Sequence, residues 1–346
     1  MQQPFLELTH LRLWQYKGTL PVISNSFLGG IAPRLEVLEL DRIPFPGLPK
    51  ILLSATHLTD LYLYNIPHSG YISPDAMVTA LSASTSLESL ALLFQSPRSC
   101  PDRETRQQPP STHSVLPVLT LFRFKGVTEY LEDFVAYIDA PRLNELSITF
   151  FNDLVFDTPQ FMQFISRTPM LSPLENVHIN FWDEAAYVNF LSPTSGIGDL
   201  SVEILCRGLD RQVSSVEQVC TSCLPSLSMS EDLYIYERLG WRLDWKGKIE
   251  NGLWVELLHP FTGVKNLYLC WEFAGRIAPA LQELVGDRIT EVLPTLENIF
   301  LEGLDSSGSV QEGIGQLVAL REVAGHHITI SHWDGSEKIS EYYKFV

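Results

Sequence analysis

The hydrophobic positions of the chain follow a short phrase, Leu-x-x-Leu-x-Leu, that returns about every 29 residues. Clear copies begin at Leu8, Leu35, Leu58 and Leu87, and looser copies begin at Leu116, Leu143, Leu174, Ile197, Leu233, Val264, Leu296 and Ile328. Within each copy the alternation of apolar and other residues predicts a short strand with one buried face. Because one such strand cannot bury its apolar side alone, we expect neighbouring copies to stack against one another.

Several of the segments between these strands show helical signals. Pro74 stands where the first turn of a helix tolerates proline, and the apolar residues after it are spaced by three and four. Similar patterns predict helices at Pro74–Leu81, Glu129–Ile138, Pro159–Ile165, Leu209–Cys223, Ala278–Val285 and Val310–Leu320. Alternating strands and helices with right-handed crossovers predict a parallel sheet with helices behind it. The expected fold class is α/β, a horseshoe-shaped leucine-rich-repeat solenoid with the parallel sheet on its concave side and helices and irregular turns on its convex side.

The repeats extend over the whole chain, so that we expect residues 1–346 to form one array of about twelve irregular units. Residues 95–114 interrupt the pattern with four prolines and few apolar side chains, which predicts a disordered loop insert. The eighth position after the first leucine, commonly Asn or Cys in such repeats, is mostly apolar, as at Ile43 and Ile66. Backbone groups near the turns must therefore find hydrogen bonds elsewhere, and an irregular coil is expected.

Charge and composition narrow the range of partners. The formal net charge of −17 argues against nucleic acid or an anionic membrane as the main partner, since both require clustered Lys and Arg. No secretory segment opens the sequence, and no apolar run reaches the ~18 residues of a membrane span. The five cysteines are scattered over the chain. Together these features predict an intracellular location, in the cytoplasm or the nucleus.

The sequence contains no recognisable catalytic or cofactor-binding motif. Cys220 and Cys223 have the spacing of half a zinc site, but no second pair completes it, so ordinary thiols are expected. His326, His327 and His332 cluster near the last strand, whose alternation sends neighbours to opposite faces. We therefore expect no enzyme activity, no cofactor and no metal site, although an enzyme with an unrecognised site in the groove stays an alternative.

The residues between the leucines of each phrase point away from the core, onto the concave face of the expected sheet. Many are aromatic or acidic, and Arg12 is the one permanent cation among the positions assigned to this face. Aromatic surfaces poor in lysine are typical of protein-binding sites, and the acidic neighbours favour a basic partner. The candidate protein-binding residues are Trp14, Tyr62, Tyr64, Phe122, Tyr234, Tyr236, Tyr268 and Phe300. The strand propensity of aromatic residues explains the same pattern without any partner, and both explanations stay open.

Segments such as Leu58-Thr-Asp-Leu-Tyr-Leu63 and Leu87-Glu-Ser-Leu-Ala-Leu92 resemble the leucine-rich-repeat region of fungal F-box proteins. In that family the repeats capture a protein substrate, and an amino-terminal F-box docks the adaptor of a cullin-RING ubiquitin ligase. The resemblance implies a non-catalytic substrate receptor. No F-box is visible before Leu8, so the cullin adaptor is an expected partner only if an F-box lies upstream of Met1. A truncated gene product and a stand-alone repeat protein without a ligase role are the alternatives.

Overall fold

The computed structural model describes residues 5–15, 22–100, 113–151, 158–171, 175–191, 198–222, 227–237, 249–302 and 308–334. Its strands are β1 (His10–Trp14), β2 (Val37–Asp41), β3 (Asp60–Ile66), β4 (Ser89–Phe94), β5 (Ser114–Val115), β6 (Leu121–Gly126), β7 (Ile138–Asp139), β8 (Glu145–Phe151), β9 (Asn176–Phe181), β10 (Ala186–Leu191), β11 (Asp199–Leu205), β12 (Asp232–Glu237), β13 (Asn266–Leu269), β14 (Asn298–Leu301) and β15 (Thr329–His332). Its helices are α1 (Leu48–Ser54), α2 (Pro74–Leu81), α3 (Thr128–Val135), α4 (Pro159–Ser166), α5 (Leu209–Ser222), α6 (Asn251–Leu258), α7 (Trp271–Gln282) and α8 (Gly308–Val323).

The chain divides into two compact units. Unit 1 comprises residues 1–153, 157–173 and 196–202, and unit 2 comprises residues 154–156, 174–195 and 203–346. Strand β11 contributes its first residues to unit 1 and its last residues to unit 2. The expectation of a single array over residues 1–346 stays a prediction.

In unit 1 the main strands follow the order β1-β2-β3-β4-β6-β8-β11. The five pairings from β1 to β8 are parallel, and those from β1 to β4 align the leucine phrases in register. Leu38 is opposite Leu11 on one side and Leu61 on the other, and Leu38 and Leu61 are fully buried. Helices α1 to α4 pack consecutively against one another. A separate pair, β5 and β7, is also parallel. The sequence thus predicted the α/β repeat of this unit correctly.

In unit 2 the strand order is β10-β9-β12-β13-β14-β15, and all pairings from β9 to β15 are parallel. Strand β10 is antiparallel to β9, with Val188 opposite Ile179. Helices α5 to α8 pack consecutively. The leucine pattern does not predict β10, because Ala186–Leu191 is the returning arm of a hairpin and does not carry the phrase.

The helix predictions are confirmed as elements, with boundaries that differ by a few residues. In α2 the Ser73 side chain accepts a hydrogen bond from the Ala76 N–H at 3.4 Å, and Pro74 occupies the first turn. The helix expected from Ala278 begins earlier, at Trp271, and the one expected from Val310 begins at Gly308. Helices α1 and α6 were not predicted.

The register predicted for the copy at Leu116 is wrong by three residues, and this odd shift exchanges the two faces of the strand. Phe122, expected on the exposed face, is fully buried, and it is opposite Leu90 and Leu146 in the sheet. Its ring packs 5.7 Å from that of Phe134. The aligned apolar residues are therefore Leu119, Phe122 and Phe124, with Leu121, Arg123 and Lys125 on the other face. This register buries two phenylalanines, whereas the predicted alternation would have pointed Arg123 and Lys125 into the core at a large desolvation cost.

Backbone hydrogen bonds link successive repeats just before the strands. The carbonyl of Glu36 accepts hydrogen bonds from the N–H groups of Thr59 at 2.8 Å and Asp60 at 3.0 Å. The carbonyl of Thr59 accepts in the same way from the N–H groups of the next repeat. In unit 2 the carbonyl of Glu231 accepts from Lys265 at 2.9 Å and Asn266 at 3.0 Å. Each carbonyl thus satisfies two backbone donors of the following repeat.

Some predictions concern residues that the structure leaves undescribed. Of the expected loop at 95–114, residues 101–112 lie outside the described part of the chain, and Pro97–Ser99 form a short 3-10 turn. Cys223 also lies outside it, whereas Cys220 is buried in α5.

Candidate protein-binding face

The candidate site lies on the inter-leucine face of the sheet, which is formed by the alternate strand residues that do not enter the core. In unit 1, Trp14, Asp41 and Tyr64 form a row across three adjacent strands, because Trp14 is opposite Asp41 and Asp41 is opposite Tyr64. A second row joins Arg12, Glu39 and Tyr62. The aligned leucine phrases thus bring residues from three repeats together.

Tyr62 and Tyr64 form a parallel pair on β3, with ring centroids 5.8 Å apart and planes 4° apart. The Tyr62 hydroxyl donates to an Asp60 carboxylate oxygen at 2.9 Å. Burial raises the pKa of both hydroxyls above the ordinary value, helped by Asp60 at Tyr62 and by Glu39 at Tyr64. Both tyrosines are half-buried. They therefore present neutral rings in a fixed arrangement on this face.

Ion pairs flank the tyrosine pair. Arg12 lies 3.3 Å from Glu39, and Arg123 lies 2.9 Å from Glu145. Arg123 and Lys125 also lie on this face, which the leucine pattern does not predict because it gives their strand the wrong register. The face of unit 1 consequently carries more positive charge than the sequence indicated.

Asp41 and Asp60 are bonded to neutral groups. The Asn65 amide donates to Asp41 at 2.8 Å, and the hydroxyls of Thr59 and Tyr62 donate to Asp60. Arg42 reaches Asp41 only at 4.0 Å. Both carboxylates border the aromatic rows, Asp60 with hydroxyl partners and Asp41 with an amide and an arginine beside it.

Trp14 is the most exposed of the candidate aromatic residues, with 56% of its surface accessible. Together with the half-buried Tyr62 and Tyr64, it gives unit 1 an accessible aromatic surface. Three of the eight predicted site residues are therefore available for contact in this unit, and Phe122 is not.

In unit 2 the candidate residues stack on one another. The rings of His178, Tyr234, Tyr268 and Phe300 form an aromatic ladder across β9, β12, β13 and β14, with centroid separations of 4.2, 4.1 and 4.4 Å. The planes differ by no more than 13°. Tyr234 and Tyr268 are only 4% and 8% exposed. The rings of His178, Tyr234 and Tyr268 are therefore buried, whereas Phe300 is half-buried.

Trp333 and Tyr236 complete the packing around this ladder. The Trp333 ring centroid lies 5.6 Å from that of Tyr268 and 5.9 Å from that of Tyr234. Tyr236 meets the edge of His178 at 5.9 Å and is also buried. Trp333 was not a predicted site residue, although it continues the alternation of Thr329 and Ser331 along the last strand. That alternation is the signal that could have identified it.

A row of polar side chains runs beside the aromatic ladder. The Asn266 amide donates to Asp232 at 2.7 Å, and the Asn298 amide donates to Asn266 at 2.8 Å. The Thr329 hydroxyl donates to Asn298 in turn. An asparagine ladder thus exists in unit 2, on the inter-leucine face, and it holds successive strands in register.

The described residues contain no candidate metal cluster and no candidate membrane-spanning helix. Within the ranges given above, no group of three or more His, Cys, Asp or Glu side chains is placed to hold a metal ion. His327 pairs instead with Glu322 at 2.8 Å. No described helix has the length and apolar character needed to cross a bilayer. The prediction that the chain is not an enzyme stays a prediction.

The aligned leucine phrases, parallel strands and consecutive helices define the chain as an α/β protein of the leucine-rich-repeat type. No protein-family model matches the sequence, and no curated protein matches it. Among solved structures, the chain is similar to the leucine-rich repeat-containing protein LegL7 from Legionella pneumophila. The identity is 11% and the TM-score 0.30, over 83% of this chain and 82% of that chain. At this level of similarity we transfer no partner and no residue role.

Proposed function

We propose that the chain is a non-catalytic protein-recognition scaffold, and that its partner binds the inter-leucine face of unit 1. The observation that carries this proposal is the accessibility of Trp14, Tyr62 and Tyr64, in contrast to the buried tyrosines of unit 2. Tyrosine and tryptophan dominate the binding energy of protein interfaces. Strand propensity alone explains their presence in a sheet, but it does not require them to stay exposed.

The geometry of the tyrosine pair suits recognition. The rings of Tyr62 and Tyr64 are already parallel, and a hydrogen bond to Asp60 restrains the Tyr62 side chain. Since these side chains are ordered before binding, less conformational entropy is lost when a partner covers them.

The charges around the pair favour a partner segment with arginine or lysine. A partner cation over the tyrosine rings could interact with their faces and approach Asp41 or Asp60. Arg12 and Arg123 already neutralise Glu39 and Glu145. We therefore propose that the basic residues of the partner contact this face at the two aspartates. A general attraction between the net charges of the two proteins is not part of the proposal.

The resemblance to F-box repeat proteins extends the proposal to the fate of the bound protein. In this extension the partner is a substrate of a cullin-RING ubiquitin ligase, and the adaptor is recruited by an F-box encoded upstream. The alternative is an interaction protein that acts without the ligase.

A photo-cross-linking experiment tests the binding face. A photoreactive phenylalanine analogue at Trp14 should capture a partner from cell extract, whereas the same analogue at Tyr137, outside the proposed face, should not capture it. The captured protein is then purified and its Kd measured. The double change Tyr62→Ala and Tyr64→Ala should weaken binding at least about tenfold, a loss of about 1.4 kcal/mol that is typical of hot-spot residues. Tyr137→Ala should leave the Kd unchanged.

Equal capture from Trp14 and Tyr137, with a Kd that the double change does not affect, would contradict the proposal. Circular dichroism of both variants checks that they remain folded. The ligase extension is tested separately, by affinity purification of the full gene product. Recovery of the cullin adaptor with the partner supports a substrate receptor, and recovery of the partner without the adaptor supports a stand-alone scaffold.

A further inference from the structure

Two cations of β6 share the inter-leucine face with the tyrosine pair of β3. Arg123 lies opposite Ala91 of β4, and Ala91 lies opposite Tyr62 in turn. Lys125 lies opposite Leu93, and the alternation of the strand points it to the same side as Arg123. A single strand, β4, therefore separates the tyrosine pair from this basic pair.

The small side chain of Ala91 allows the two pairs to approach each other. Ala91 is fully buried although it lies on the inter-leucine face, so that larger neighbouring side chains cover it. Burial raises the pKa of the Tyr62 and Tyr64 hydroxyls, and the positive charge of Arg123 opposes that rise at both. The guanidinium therefore lies near both rings, and a ligand that covers the rings reaches it.

Both cations can bind a carboxylate without the loss of a buried ion pair. The Lys125 ammonium lies 5.6 Å from the centroid of the Phe151 ring, and among the described residues no carboxylate pairs with it. Arg123 pairs with Glu145 at 2.9 Å, but both side chains are nearly half exposed. An exposed ion pair contributes little to stability, so that the arginine can exchange one carboxylate for another at small cost.

The negative charge on the other side of the tyrosine pair sets a spacing. Asp41 is on β2, three steps from β6 in the order of the sheet. Neighbouring strands lie ~4.8 Å apart, so that the path from Asp41 to the basic pair spans about 14 Å. An extended peptide that crosses the strands advances about 3.3 Å per residue and covers this path in about four residues. Peptide residues at this even spacing point to the same side, and the residue midway between them lies above the tyrosine pair.

We propose that the partner of unit 1 binds through an extended segment that carries a basic and an acidic residue about four positions apart. The basic residue contacts Asp41. The acidic residue contacts Arg123 and Lys125, and the residue midway between the two charges covers the tyrosine pair. This inference rests on the proposed function of the inter-leucine face and adds the second charge. Opposite charges at the two ends of the path also fix the position of the segment on the sheet.

Selection of peptides from a random library tests this inference. Full-length wild-type protein should select peptides with Asp or Glu about four positions from Arg or Lys. The reversed variant, Arg123→Glu with Lys125→Glu, should select a basic residue in place of that acidic residue. The matched variant, Lys50→Glu with Arg211→Glu, changes exposed positions of helices α1 and α5 and alters the net charge equally. It should select the same peptides as the wild-type protein.

The Kd of one selected peptide measures the acidic contact directly. Replacing its acidic residue by the neutral amide should weaken binding to wild-type protein at least about tenfold, as expected for a hydrogen bond to a charged group. Fluorescence anisotropy of the labelled peptides gives both values. Circular dichroism checks the folding of the reversed variant, and if that variant does not fold, the change in the peptide provides the test.

The outcomes separate this inference from the proposed function. Selected peptides that require Tyr62 and Tyr64, but show no acidic preference and lose no affinity with the neutral amide, overturn the inference and leave the proposed function in place. If no selected peptide loses affinity for the protein with Tyr62→Ala and Tyr64→Ala, the proposed function fails, and the inference fails with it.

Discussion

The ring of Tyr268 lies 4.1 Å from the ring of Tyr234, with the two planes 8° apart, although 34 positions separate the residues in sequence. The parallel pairing of β12 and β13 places the two residues directly opposite each other. Both rings are buried, so their contribution is to the stability of unit 2. The same residue type at the same strand position is accessible in unit 1, at Tyr62. Sheet position alone therefore does not decide whether a tyrosine is available for binding.

Removing the middle ring of the ladder should destabilise unit 2. Tyr268→Ala is expected to cost about 3–5 kcal/mol, because it leaves a cavity and ends two stacked contacts. Tyr268→Phe keeps the ring and should cost less than about 1 kcal/mol. Urea denaturation followed by circular dichroism measures both. Equal stability of the two variants would show that the stack does not stabilise the unit.

The observed register of β6 and the register predicted from the sequence lead to opposite expectations for the stability effect of changing Phe122. Phe122→Ala should cost about 3–5 kcal/mol because Phe122 fills the core against Phe134. The adjacent Arg123→Ala should change stability by less than about 1 kcal/mol, since its ion pair with Glu145 is exposed. Thermal unfolding of the two variants distinguishes the registers. A small effect at Phe122 would restore the alternation predicted from the sequence.

Arg321 should act as a structural residue of unit 2. The guanidinium is 1% exposed and donates to the carbonyls of Ile289, Val292 and Leu293 at 3.1, 2.5 and 2.7 Å. Arg321→Met keeps much of the volume but leaves these acceptors unpaired, at about 1–3 kcal/mol for each one that water does not reach. Arg321→Lys should be intermediate because an ammonium cannot span all three carbonyls. Chemical denaturation measures the order, and a methionine variant as stable as wild type would contradict it.

The Glu302 carboxyl should make unit 2 more stable at acidic pH than at neutral pH. Burial raises the pKa of this carboxyl, and the nearby Glu272 and Asp334 raise it further, whereas His332 lowers it. The folded state therefore binds the proton more tightly than the unfolded state. Its free energy of unfolding falls as pH rises from the ordinary glutamate pKa through the raised one.

Glu302→Gln should remove this part of the pH dependence and stabilise the protein at neutral pH. Glu297→Gln, a matched change at an exposed position at the opposite end of β14, should do neither. Urea denaturation between pH 4 and 8 provides the comparison. The pKa assignment fails if both variants retain the wild-type pH profile.

The position of the candidate site was predictable only in part. Trp14, Tyr62 and Tyr64 were assigned to the inter-leucine face from alternation alone, and the structure places them there with accessible surface. Their role in binding stays a prediction. Tyr234, Tyr236 and Tyr268 were assigned by the same rule, but they are buried. Alternation identifies the face on which a side chain lies, and it contains no information about what later covers that face.

The sequence by itself determined the repeated strand with its aligned leucines and most of the helices. Periodicity is a local property, and each repeat shows the same spacing of apolar residues. Only the tertiary structure decided the register of β6, where burial of Phe122 competed with burial of Leu121. It also decided the insertion of β10 and the contact of Trp333 with Tyr234 and Tyr268. These depend on packing between residues far apart in the chain, which no local pattern records.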